Sequence, residues 1–95
     1  MNLRDFTGFE WDEGNRDKNL VKHNVNYYEA EEIFFNMPLI VNHDKKHSNQ
    51  ETRYHALGIT DSDRKLFISF TIRKTFIRVI SARDMTKKEI IIYEK

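Results

Sequence analysis

The side chains best suited to chemistry are two proton carriers and a set of arginines. They are His47, Glu51, Arg53, Arg73, Arg78 and Arg83. Glu51, Arg53 and His55 alternate onto one face of a predicted strand. Arg73 and Arg78 lie on either side of a predicted hairpin turn, and Arg83 lies at the end of a predicted strand. Guanidiniums that converge on one sheet face suit a phosphodiester, because each can bind two phosphate oxygens and stabilise added negative charge.

RNA is a phosphodiester that such groups can cleave without a metal ion. A base removes the proton of the 2′-hydroxyl, an acid protonates the leaving 5′-oxygen, and cations stabilise the crowded phosphorus. His47 and Glu51 are the available proton carriers. The alternative is that the arginines pair with Glu51, Asp84 and Glu89 on a solvated surface, which contributes little to stability.

The histidines also raise the question of a metal site. His43 and His47 are four positions apart, but they lie in a segment predicted as a loop, where helical ligand geometry is not assured. We therefore expect no metal site and no cofactor. The sequence has no cysteine, no His-Glu-x-x-His motif and no glycine-rich phosphate loop. These absences exclude a cysteine nucleophile and leave zinc peptidase and nucleoside triphosphate chemistry without support.

Length and charge limit the possibilities further. A chain of 95 residues predicts one domain, residues 1–95. The net charge of +1 hides an asymmetry, since residues 1–48 have six Lys and Arg against nine Asp and Glu (−3), whereas residues 49–95 have ten against six (+4). The second half is thus the part that would face phosphate. Without cysteines, a membrane-spanning apolar run or a signal-type segment, we expect a cytoplasmic protein that does not contact a membrane.

Hydrophobic periodicity predicts an α+β fold, with two helices before a four- to five-stranded antiparallel sheet and a short C-terminal helix after it. The predicted strands are 6–12, 38–42, 52–59, 65–72 and 75–82, and the first two helices are 13–23 and 26–35. Capping boxes at Asn26 with Glu29 and at Thr86 with Glu89 support the second and the last helix. Asn24 is expected to end the first helix in the left-handed conformation.

The strands also predict one covered and one open sheet face. Leu66, Ile68 and Phe70 alternate with Phe67 and Ser69, so one face accepts polar residues. Helices would then cover the other face. Residues 43–51 are predicted as a loop, and the turn after Arg73 lacks the glycine expected in a tight hairpin.

Several linked motifs resemble those of the BrnT family of toxins. The first is a Phe-x-Trp-Asp strand followed by Asn-x-x-Lys-His and a branched residue; in this chain these are Phe9, Trp11, Asp12, Asn19, Lys22, His23 and Val25. A His-x-x-x-Glu-x-Arg segment follows at His47, Glu51 and Arg53, and then "ALG", "SFTIR", "IRVISAR" and a trailing Thr86, Glu89 and Tyr93. The motifs keep their order over essentially the whole chain, which makes the resemblance far more specific than any one of them.

The resemblance implies a ribonuclease toxin of a type II toxin–antitoxin pair with a RelE-like fold. It also implies a BrnA-like antitoxin that neutralises the toxin and carries the DNA-binding part, so that operator DNA is bound only through the complex. With RNA as substrate, His47 or Glu51 would be the base. Arg53, Arg73 and Arg83 would stabilise the phosphorane. The residues that would bind RNA are Lys22, His23, Lys74 and Arg78.

Two other classes of function stay open on the sequence. One is a non-catalytic module whose basic face binds RNA or DNA, which salt-sensitive binding without cleavage would indicate. The other is an interaction protein whose basic face buries an acidic partner segment. A stable complex with a partner, formed by a chain that has no affinity for nucleic acid, would indicate that class.

Overall fold

The structure is a computed structural model that describes residues 5–95, apart from the side chains of residues 13–15, 20 and 21. In chain order the elements are β1 (Gly8–Glu10), α1 (Glu13–His23), α2 (Tyr27–Glu32), a 3₁₀ turn (Ile33–Phe35), β2 (Ile40–Asp44), β3 (Arg53–Ile59), β4 (Lys65–Arg73), β5 (Phe76–Asp84) and α3 (Lys87–Tyr93). The strands form one sheet in the order β1-β5-β4-β3-β2. β1 runs parallel to β5, and the other neighbours are antiparallel. The predicted α+β fold is confirmed, and the sheet that was predicted to be antiparallel is mostly so, with β1 as the parallel exception.

The ends of the helices follow the local signals in the sequence. Asn24 has a φ of 55°, the left-handed conformation expected after α1. The main-chain N–H of Asn26 donates to the Glu29 carboxylate at 3.1 Å. At α3 the capping box is reciprocal, because the Glu89 N–H donates to the Thr86 hydroxyl and the Thr86 N–H donates to the Glu89 carboxylate. Local side-chain chemistry therefore fixes where these helices begin and end.

Strand β2 begins and ends two residues later than predicted. It includes His43 and Asp44, which the sequence predicts as part of a loop, and Asp44 pairs with Arg53 in the ladder of β3. The Asp44 carbonyl accepts a hydrogen bond from the Ser48 hydroxyl, which in turn accepts from the Arg53 N–H. Side-chain bonds from the connecting loop thus extend the hairpin beyond the last apolar residue, an effect that hydrophobic alternation does not report.

The main core lies between the sheet and the helices α1 and α2. Its most buried side chains include Val25, Ile33, Ile68, Phe70 and Val79. The 3₁₀ turn packs closely on β3, since a Cβ built on Gly58 would lie 2.8 Å from the Cβ of Ile33. Gly58 is therefore required by the close approach of these two elements.

A second, smaller core lies on the opposite face of the sheet, under α3. It contains Leu57, Met85 and Tyr93. The Tyr93 hydroxyl donates to the Pro38 carbonyl at 2.6 Å, which fastens the end of α3 to the segment before β2. The face that was predicted to be open is thus covered at one end by α3, and only the remainder is exposed. Among the described residues, no helix has both the length and the apolar character needed to cross a bilayer.

Candidate active site

The pairing of the strands places polar side chains next to one another on the part of the sheet that α3 does not cover. Two adjacent rows cross the strands; the first is Asp44, Arg53, Thr71 and Arg78, and the second is Asn42, His55, Ser69 and Ser81. Alternation places both rows on the face opposite α1 and α2. We call these two rows, together with the loop at 45–52, the open face. Sequence-predicted residues from two strands and the loop therefore lie on the same face as residues that the sequence does not single out.

Asp44 is at the centre of a cluster with two histidines. Its Oδ2 lies 2.9 Å from Nδ1 of His47 and 2.8 Å from Nε2 of His55. Its Oδ1 accepts the main-chain N–H of His47 at 3.3 Å. Asp44 is 6% exposed, whereas the His47 side chain is 57% exposed. One buried carboxylate therefore orients two imidazoles, and the more accessible imidazole faces solvent.

The pKa of Asp44 shows that this carboxylate is ionised. Burial raises the pKa, but the hydrogen bond from the His47 side chain and the charge of His55 outweigh burial and leave the pKa below its usual value. The ionised carboxylate can only accept hydrogen bonds, so the facing nitrogen of each imidazole carries a proton. The other ring nitrogens, Nε2 of His47 and Nδ1 of His55, are left for a substrate.

Next to this cluster is an open recess of about 550 Å³, which we call the arginine recess. It is lined by His47, Asn49, Gln50, Glu51, Arg53 and Arg73. Arg73 and Glu51 approach to 3.9 Å, a loose ion pair in which both side chains are partly exposed. Nε of Arg53 is shielded from solvent and has no hydrogen-bond partner within the described residues. A buried donor without an acceptor lowers stability.

A second recess, of about 370 Å³, adjoins the first, and we call it the serine recess. Its lining residues are Asp44, His47, Arg53, His55, Phe67, Ser69, Ile80 and Ser81. The pairing of β4 with β5 shifts by one residue between Ser69 and Phe70, which leaves Ile80 as the extra residue of a β-bulge. Ile80 and its neighbour Ser81 therefore both line the recess. His47 and Arg53 line both recesses and mark their junction.

Arg83 lies on the same sheet face but outside the arginine recess. Its Cζ is 4.1 Å from the centre of the Phe67 ring, and its two terminal nitrogens donate to the Glu89 carboxylate at 2.8 and 3.0 Å. Phe67, its partner on β4, is six residues from Arg73, or about 20 Å along the strand. The structure therefore does not bring Arg83 together with Arg73.

The four residues expected to bind RNA are dispersed. Lys74 follows Arg73 in the hairpin turn, at the position where a glycine was expected. Its φ of 56° is in the left-handed region. Arg78 forms an ion pair with Asp12, and its side chain is 17% exposed. Lys22 and His23 are the last two residues of α1. The His23 carbonyl accepts a hydrogen bond from Arg64, which directly precedes β4. This end of β4 is about 26 Å along the strand from Arg73 at the other end. Lys74 alone of the four is beside the arginine recess.

Comparison with known families decides which class of protein this is. The family model described as "Ribonuclease toxin, BrnT, of type II toxin-antitoxin system" matches residues 11–89. The chain belongs to the BrnT family. As a family of type II toxin–antitoxin systems, it implies an antitoxin partner for this chain, and as a family of ribonuclease toxins it implies RNA as the substrate.

A solved structure supports the BrnT assignment at the level of the fold. The crystal structure of the Brucella abortus ribonuclease toxin, BrnT, superposes with a TM-score of 0.66 and is 21% identical in sequence. The match covers 85% of this chain and 99% of that chain. No curated protein sequence matches this chain significantly.

The residues at the BrnT motif positions near the N-terminus have structural contacts. The Trp11 indole donates to the Glu31 carboxylate at 2.7 Å, and the Asn19 side chain accepts the Ala82 N–H at 3.2 Å. Asn19 and Val25 are buried. Trp11, Asn19 and Val25 therefore fasten α1 and the segments on either side of it to the rest of the fold, and the fold explains these three motif positions.

Sequence reasoning missed two residues of the cluster, Asp44 and His55. In the sequence, Asp44 stands out only as a residue between two histidines, and His55 only as alternating with Arg53. A carboxylate predicted in a loop gave no indication of burial. No three or more His, Cys, Asp or Glu side chains are placed to hold a metal ion in the part of the chain that the structure describes.

Proposed function

We propose that this chain, acting as a single toxin domain over residues 1–95, is a metal-independent endoribonuclease that inhibits translation and growth by cleaving RNA. The observation that carries the proposal is the position of the His47 imidazole. It is oriented by buried Asp44 and lines one recess with Arg53 and Arg73. A proton carrier next to two guanidiniums is the set of groups that cleavage at a phosphodiester requires.

The proposed reaction is attack of the 2′-oxygen on phosphorus with loss of the 5′-oxygen. Nε2 of His47 takes the proton of the 2′-hydroxyl, with Glu51 as the alternative base in the same recess. As the P–O5′ bond breaks, protonated His55 gives its proton to the leaving oxygen. The products are a 2′,3′-cyclic phosphate and a 5′-hydroxyl. Asp44 holds both imidazoles in the tautomers that this transfer needs.

The cations divide between the phosphorane and the RNA backbone. Arg53 and Arg73, which line the same recess, stabilise the phosphorane through their guanidinium groups. Lys74 binds the neighbouring phosphate from the adjacent turn. Lys22, His23 and Arg78 lie too far away for the cleaved phosphate and contact RNA only if the strand extends around the molecule. Arg83, which the resemblance placed at the phosphorane, is neutralised by Glu89 and has no part in stabilising it.

The partner in this proposal is a BrnA-like antitoxin. It neutralises the toxin, and the complex represses its own operon, with operator DNA bound only through the antitoxin. Exposed apolar side chains at Phe35, Met37, Ile91 and Ile92 offer surface for such a partner. The fold is proposed to be RelE-like, since helices cover one sheet face and leave part of the other to RNA. A chain without cysteine suits the cytoplasm as its location.

Incubation of the purified chain with ribosome-free RNA in EDTA tests the proposal. The wild type should cleave, His47→Gln should lower kcat/KM by about 10²- to 10⁴-fold, and Arg53→Lys by about 10²-fold. His43→Gln is the matched control, because His43 is on the same strand as Asp44 but lines neither recess. The product should end in a 2′,3′-cyclic phosphate.

Other outcomes would revise distinct parts of the proposal. Cleavage that appears only after a divalent cation is added would show that metal independence is wrong. Equal loss in His43→Gln and His47→Gln would remove His47 from the active site. If the RNA stays intact, the same assay is repeated on translating ribosomes. If the RNA stays intact there as well, and the affinity of the chain for RNA falls as salt is added, the chain is a non-catalytic binding module.

A further inference from the structure

We propose that Phe67 and Arg83 form a stacking platform that binds one nucleobase of the RNA, next to the cleaved phosphate. This subsite rests on the proposed ribonuclease function, which it deepens by assigning a place to the base as well as to the phosphate. Single-stranded RNA is bound in this way by other proteins, whose aromatic rings and arginine planes stack on unpaired bases.

The arrangement of Arg83 favours stacking over phosphate binding. Its guanidinium lies over the Phe67 ring at 4.1 Å. Two bonds to Glu89 and one to the Asp84 carbonyl hold the plane in a fixed orientation. Glu89 also cancels the charge that a phosphate would need, while a third of the Arg83 side chain stays exposed. What remains for a ligand is a rigid, flat surface.

The platform is continuous with the proposed site of cleavage. The Phe67 ring is 4.8 Å from the His55 ring, and both line the serine recess with His47 and Arg53. A phosphate at the junction of the two recesses therefore has its own or the neighbouring base within reach of Phe67. The backbone of the same RNA would continue into the arginine recess.

The walls of the serine recess can distinguish the edges of a base. Ser69 and Ser81 are opposite each other in the register of β4 and β5 and line the recess beside Ile80. Neither serine hydroxyl forms a hydrogen bond within the described residues. Hydroxyls can donate and accept, so they can bind the polar edge of a base whose face stacks on the Arg83 plane above Phe67.

The contacts of Arg83 with Glu89 also fasten α3, so the test must separate stacking from stability. The probe is a short single-stranded RNA, 2′-O-methylated throughout to prevent cleavage, in which each base in turn is replaced by an abasic site. Fluorescence anisotropy at fixed salt measures the affinity of the wild type, Phe67→Leu and Arg83→Lys. Arg83→Lys keeps the charge opposite Glu89 but loses the plane. Phe35→Leu is the control for loss of an exposed ring elsewhere.

For the wild type, one abasic position should weaken binding by about 5- to 150-fold, the usual range for a stacked base. Phe67→Leu and Arg83→Lys should bind the intact RNA more weakly and show no further loss at that position. Phe35→Leu should behave as the wild type. If both variants keep the full abasic effect, or if no position matters in the wild type, the platform does not bind a base. Should Phe67→Leu fail to fold, Arg83→Lys decides alone.

Cleavage of unmodified RNA by the same preparations distinguishes this inference from the proposed function. A wild type that cleaves RNA but shows no base-dependent binding keeps the ribonuclease function and loses the platform. A wild type with base-dependent binding, abolished in the two variants, but without cleavage keeps the platform and loses the ribonuclease.

Discussion

At the scale of single residues, the orientation of both imidazoles depends on one carboxylate. Asp44 is nearly inaccessible, yet it contacts His47 and His55 through the same oxygen. In the proposed reaction it acts by positioning the two rings.

Asp44→Asn is expected to lower kcat/KM for RNA about 100-fold, because the amide offers one acceptor and one donor where the carboxylate offers only acceptors. One imidazole must then change tautomer. The measurement is kcat and KM for RNA cleavage by the wild type and the variant, together with thermal unfolding of both. A fall in kcat/KM that is accompanied by an equally large loss of stability would mean that Asp44 has only a structural role.

At the scale of elements, close packing of the 3₁₀ turn on β3 sets the position of the helical layer. A methyl group at Gly58 would lie 2.8 Å from Ile33, whereas a methyl group at Gly8 would have its nearest neighbour, a carbon of Phe76, at 3.5 Å. The two glycines are therefore matched in type and differ in the space beside them.

We expect Gly58→Ala to lower the free energy of unfolding by about 1–3 kcal/mol, since β3 and the 3₁₀ turn must move apart. Gly8→Ala should change it by less than about 0.5 kcal/mol, because the added contact is ordinary. Urea unfolding of the two variants and the wild type measures both values. Equal effects at the two positions would contradict the packing argument.

Much of the element order, and four of the residues that line the arginine recess, could be predicted from the sequence, but the cluster around Asp44 could not. Alternation gave the strands, and capping residues gave the helix ends. The cluster depends on register, because His55 reaches Asp44 only after β2 continues past Asn42 and pairs with β3. The bulge at Ile80 and the position of α3 also arise from tertiary packing, which no local pattern encodes.

At the scale of the whole molecule, Arg64 connects three separate elements. It donates to the carbonyls of His23, the last residue of α1, and of Asn24, and to the carboxylates of Glu29 in α2 and Asp84 in β5. The hydrogen bond from Arg64 holds the pKa of Asp84 below its usual value, and the Arg83 hydrogen bond does the same for the pKa of Glu89. Both carboxylates are therefore more acidic in the folded chain.

A carboxylate with a lowered folded-state pKa adds stability at neutral pH and loses that contribution as pH falls. Stability should therefore decrease once the pH drops toward the ordinary pKa values of 4.5 for Glu89 and 3.8 for Asp84, and continue to fall below them. Thermal unfolding from pH 7 to pH 3 measures this. Glu89→Gln should lower the free energy of unfolding by about 1 kcal/mol at pH 7. Both Glu89→Gln and Asp84→Asn should lose less stability than the wild type as the pH falls. If a variant loses as much stability as the wild type, other groups cause the loss.

The single oxygen that Asp44 presents to two imidazoles also bears on the fate of the cyclic product. In the proposed cleavage step His55 loses a proton and His47 gains one. The total charge of Asp44, His47 and His55 is therefore the same before and after cleavage. His47 is then the protonated partner and His55 the neutral one, which is the arrangement needed for water to open the cyclic phosphate by the reverse sequence of transfers. The enzyme can thus enter hydrolysis of its first product without exchanging a proton with solvent, and a 3′-phosphate should accumulate on long incubation.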